Sequence, residues 1–106
     1  MNSNRMTQLR ELAISDPTDV FIKYAIALEY HAIGENTEAV THLKNLILTH
    51  PNYLPSYYQL GQMLESAGKT AEAILIYKSG ATLAEIQKEN KTKSELLQAI
   101  ENLTED

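Results

Sequence analysis

The sequence predicts an all-α protein built as a stack of helix-turn-helix repeats, and three observations predict it. Shifted by 34 positions, the chain matches itself at Pro17/Pro51, Tyr24/Tyr58, Gly34/Gly68, Glu38/Glu72, Ala39/Ala73 and Lys44/Lys78, in order and without a gap. Around these identities, Val20/Leu54, Ile26/Leu60, Ala27/Gly61, Tyr30/Leu64, Val40/Ile74 and Leu43/Tyr77 keep their apolar or small character. Within each period the apolar residues recur at helical spacing, and glycine and proline fall at the breaks. A period of about 20 to 50 residues marks a repeat array. Unrelated helices share the helical rhythm by default, but not their glycine and proline positions as well.

Each element follows from this register. Residues 4–15 form a first helix whose Met6, Leu9, Leu12 and Ala13 align with Val40, Leu43, Leu46 and Ile47. It is therefore a degenerate second half of a preceding unit, sealing that end of the stack. Repeat one spans 20–53. Asp16 suits an N-cap, Pro17 the first helical position, and Asp19 puts a carboxylate in the positive first turn. The run from Val20 to Ile33 is apolar on more than one side, as a helix packed on two faces must be. Gly34 supplies a left-handed C-cap, and Asn36 or Thr37 caps the next helix, which carries Ala39, Val40, Leu43, Leu46 and Ile47.

Repeat two spans 54–87 and follows the same plan, with Pro55 at its start, Gly68 at its break and Thr70 as cap. Beyond it the phase fails: Glu85 stands where proline belongs, and no breaker interrupts Ala71 to Glu89, so this helix continues past Ala84. Thr92 with Glu95 reads as a capping box opening a last helix over 92–104. Its Leu96, Leu97, Ile100 and Leu103 form an apolar stripe expected to fold back on Ile74, Tyr77 and Ala81 as a cap. End units of such arrays are atypical because one face meets water.

These residues resemble the tetratricopeptide repeat family. In repeat two, Tyr57, Leu60, Gly61, Leu64, Gly68, Ala73 and Tyr77 fall on the family's signature positions. In repeat one the counterparts are Lys23, Ile26, Ala27, Tyr30, Gly34, Ala39 and Leu43, followed by Pro51. Departures are Lys23 at a position that is usually large and apolar, Gly80 where alanine is common, and Glu85 for the terminal proline. The resemblance implies a right-handed superhelical stack forming a single domain over 1–106. It also implies a non-enzymatic adaptor whose first helices line a concave groove for a peptide or helix of a partner protein.

Carried onto this chain, the groove positions are Phe21, Tyr24, Leu28 and His31 in repeat one, and Tyr58, Gln62 and Glu65 in repeat two. Phe21 and Leu28 also fit a plain packing role against the first helix. With only two repeats the groove is short, so binding in the micromolar range is expected, about −8 kcal/mol. Chaperone-tail binders of this family hold a C-terminal carboxylate with lysine and asparagines. The matching positions here are Tyr24, Leu28 and Gln59, which offer no cation. The alternative reading is a structural homo-oligomer, a weak homodimer through the last helix or an end of the stack.

Composition narrows the chemistry. Of 106 residues 43% are hydrophobic and 22% charged, ordinary for a globular domain. The net charge of −5 opposes phosphate-backbone binding, so no nucleic-acid partner is expected. There are no cysteines, no apolar run long enough for a membrane, and the start MNSNRMTQLR lacks a signal-peptide core. A cytoplasmic setting without membrane partners is expected. His31, His42 and His50 lack the spacing of a metal helix, and no nucleophile elbow, phosphate loop or dinucleotide fingerprint occurs. No catalytic residue, metal or cofactor is expected.

Overall fold

The computed structural model of the protein describes residues 4–104. Among them all regular structure is helical: α1 (Asn4–Ser15), α2 (Val20–Ala32), α3 (Asn36–Thr49), α4 (Pro55–Ser66), α5 (Thr70–Ile86) and α6 (Asn90–Thr104). The helices fall into two compact units, the first ending at Tyr53 and the second beginning at Leu54.

In the first unit α2 packs against both α1 and α3, which explains its broadly apolar surface. The core combines Met6 and Leu9 of α1, Ala25 and Ala27 of α2, and Ala39, Leu43 and Leu46 of α3. The entry to α2 differs from the sequence expectation. Asp19, not Asp16, is the N-cap, and its carboxylate accepts the Ile22 N–H at 3.1 Å. Asp16 instead organises the turn before it, accepting the Thr18 hydroxyl at 3.3 Å on its side chain and the Asp19 N–H at 3.3 Å on its carbonyl. Pro17 lies in that turn, ahead of the helix.

In the second unit α5 packs against both α4 and α6. Two glycines set the closeness of these crossings. A Cβ on Gly61 would overlap the Tyr77 ring, so the large aromatic of α5 occupies the space that the small residue of α4 leaves. A Cβ on Gly80 would stand 2.7 Å from Tyr57 Cβ and 3.1 Å from Leu96 Cδ1. Gly80 is thus where α5 meets α4 and α6 together, the reason glycine stands where the family commonly has alanine. The stripe on α6 is divided: Leu96 is fully buried, Ile100 and Leu103 are half-buried, and Leu97 is 47% exposed.

Three turns share one geometry. At α2–α3, Gly34 has φ +85°, its N–H donates to His31 O at 3.0 Å, and the Glu35 N–H donates to Tyr30 O at 2.8 Å. At α4–α5, Gly68 (φ +78°) donates to Glu65 O and Lys69 to Leu64 O, each at 2.9 Å. These are Schellman turns, in which a left-handed residue lets two amides satisfy the last helical carbonyls. The α5–α6 turn repeats them without a glycine. Lys88 takes φ +61° and donates to Glu85 O at 3.1 Å, and Glu89 donates to Ala84 O at 2.8 Å.

This turn moves the expected caps of α3, α5 and α6. The residue after the left-handed one already accepts the first bond of the next helix: Ala39 N–H to Glu35 O, Ala73 N–H to Lys69 O and Lys93 N–H to Glu89 O. The next helix therefore starts one residue later, and Asn36, Thr37 and Thr70 lie inside their helices rather than capping them. Likewise α6 begins at Asn90, not Thr92, and the Thr92–Glu95 pair sits within its first turns rather than as a capping box.

Candidate functional site

The expected groove residues divide between the units. In the first, Phe21 is 62% exposed on α2. Tyr24, one turn on, is half-buried and meets the Tyr53 ring edge-on, with centroids 5.4 Å apart and planes at 65°. Burial, and secondarily the Asp19 carboxylate, pushes the Tyr53 phenol above its ordinary range. Leu28 is half-buried. His31 is exposed at the end of α2, its Nδ1 2.9 Å from Asn36 Oδ1 at the start of α3. It braces the turn between those helices.

In the second unit the expected residues converge. Tyr58, Gln62 and Glu65 fall at spacings of four and three on α4, hence on one face. They form one wall of a cavity of about 560 Å³. The opposite wall comes from α6, through Ser94, Glu95, Gln98, Ala99 and Asn102. Beneath them lies Tyr77, its ring 6.1 Å from that of Tyr58. Its phenol donates to Glu65 Oε2, while Gln62 Nε2 donates to the phenol oxygen at 2.8 Å and to Glu65 Oε2 at 3.3 Å. Burial first, and then the bond to Glu65, pushes the Tyr77 phenol far above its ordinary value, so it stays a donor. The network ties the Gln62 and Glu65 side chains of α4 to Tyr77 of α5.

The α6 wall is what the sequence reading missed. Ser94, Gln98 and Asn102 recur at intervals of four, and Gln98 Nε2 donates to Asn102 Oδ1 at 3.0 Å. That spacing is present in the sequence, but the apolar stripe beside it points to a cap or to a self-association surface, and not to a groove wall. The cavity offers carboxylates, amides, hydroxyls and the aromatic face of Tyr58. Among the described residues no group of three or more His, Asp or Glu could hold a metal ion, and no helix is long and apolar enough to cross a membrane.

Helix pairs closed by left-handed turns, with small residues at their crossings, define a helical-repeat protein. The chain belongs to the tetratricopeptide repeat family, whose sequence model matches residues 1–80. It is similar to a tetratricopeptide repeat domain protein from Salinibacter ruber, at 32% identity over 84% of this chain and 90% of that one, with a TM-score of 0.81. A protein from Bordetella parapertussis shares the fold at 19% identity, over 97% of this chain and 89% of that one, with a TM-score of 0.82. No curated protein sequence matches the chain. The family is generally a non-catalytic protein-interaction fold.

Proposed function

We propose that the protein is a non-enzymatic adaptor that binds a peptide or helix of a partner protein. The single observation carrying this reading is the α4–α6 cavity, in which Tyr58, Gln62 and Glu65 meet a polar face of α6. Tyrosine on such a wall offers apolar area and a hydroxyl at small entropic cost, and the amides match the donors and acceptors of a peptide backbone. Phe21, Tyr24, Leu28 and His31 supply a contact surface on the first unit in the same reading, with Phe21 the most accessible anchor.

The test is capture of partners on the immobilised protein, followed by titration of the purified partner against Tyr58→Ala, Gln98→Ala and Tyr24→Ala variants. Tyr58→Ala and Gln98→Ala are expected to weaken binding by about tenfold or more, the loss of one good contact. A partner that binds all three variants as tightly as the parent protein would move the interaction off these surfaces.

A further inference from the structure

Resting on the proposed peptide-binding role of this cavity, we infer that its occupant is the lysine or arginine side chain of an extended peptide. Among the described residues the lining holds two carboxylates, Glu65 and Glu95, and no cation; the rest is neutral. Glu65 is half-buried, and its protein partners, the Tyr77 phenol and the Gln62 amide, are uncharged and both reach Oε2. They fix the carboxylate without neutralising it. Such a carboxylate is a ready partner for an ammonium or guanidinium, because charge-assisted hydrogen bonds strengthen where water is partly excluded.

Two further features favour the same ligand. The Tyr58 ring lines the cavity beside these carboxylates and offers a π-face, to which a cation is attracted. A second groove of this unit, lined by α5 and α6, is a contrast. There Lys78 and Lys93 line the wall, and Lys93 Nζ already reaches Glu85 Oε1 at 3.1 Å. That groove carries its own cations; the α4–α6 cavity leaves the cation to the ligand. A peptide ending in a carboxylate, or an acidic one, would face Glu65 and Glu95 with nothing to offset repulsion.

The experiment follows backbone amide shifts of the isotope-labelled full chain by NMR during titration with short peptides. These alternate serine with lysine, with glutamine or with glutamate. The lysine peptide is expected to shift amides of Tyr58, Glu65, Glu95 and Gln98, at least tenfold more tightly than the glutamine peptide, and the glutamate peptide to shift none. Glu95→Gln, on the exposed wall where folding is not at stake, and Glu65→Gln, which keeps an acceptor for Tyr77, should each weaken the lysine peptide about tenfold. Glu85→Gln, outside the cavity, should leave it unchanged.

Equal binding of lysine and glutamine peptides, equal effects of Glu85→Gln and Glu95→Gln, or no cavity shifts with any peptide would each overturn the inference. If glutamine or glutamate peptides bind with these shifts and lose affinity in Tyr58→Ala, the adaptor reading stands and only the cationic ligand falls. If in addition the captured partner ignores Tyr58→Ala and Gln98→Ala, the adaptor reading of this cavity falls too.

Discussion

At the scale of single residues, Lys88 is the one non-glycine among the described residues with positive φ, a conformation its side chain opposes. Gly34 and Gly68 reach positive φ without a clash, whereas a Cβ at φ +61° crowds the following carbonyl, costing about 1–2 kcal/mol. Lys88→Gly should therefore stabilise the protein by up to about 1 kcal/mol, part of the gain being lost to the freer unfolded chain, and raise Tm by a few degrees in a calorimetric scan. Tyr77 sets a different response. Its phenol stays protonated in the folded chain well above the pH near 10 at which the unfolded chain releases it. Its contribution is therefore complete below about pH 10 and lost as pH climbs beyond. Urea melts across alkaline pH should show stability falling, and Tyr77→Phe should make that fall shallower.

At the scale of elements, what could be read from the sequence depended on whether a residue type announced its conformation. Gly34 and Gly68 mark their turns because glycine is the usual occupant of a left-handed site. Lys88 forms the same hydrogen bonds but bears no such mark, and the Thr92–Glu95 pattern points to a start of α6 two residues later than the Asn90 observed. The caps of α3 and α5 were misplaced for a related reason: a Schellman turn leads straight into the next helix, leaving Asn36 and Thr70 inside it. In the candidate site, Tyr58, Gln62 and Glu65 share one face because α4 keeps the repeat register. The α6 wall lies beyond the point where that register fails. The amphipathic split of α6 gives a direct check. Leu96→Ala empties space against Gly80 and should cost about 2–5 kcal/mol, whereas Leu97→Ala, half exposed, should cost less than about 1 kcal/mol in chemical denaturation.

At the scale of the molecule, the acidic balance and the burial of Leu96 bear on self-association. An apolar stripe whose Leu96 is fully buried and whose Ile100 and Leu103 are half-buried has little left for a second copy, and a net charge of −5 adds repulsion between copies. Light scattering should give the monomer mass of 11.9 kDa up to high concentration. A mass rising toward twice that value would return the last helix to a role in assembly. In both units the principal packing joins helices that follow one another in the chain: α1 with α2, α2 with α3, α4 with α5, and α5 with α6. Bringing such neighbours together closes only short loops, so the search for native pairing is brief. The main phase of refolding from urea should be over within about microseconds to milliseconds, largely inside the dead time of a stopped-flow mixer. Helices emerging in order from a ribosome could pair as soon as each second partner is made, with no strand waiting for a distant mate.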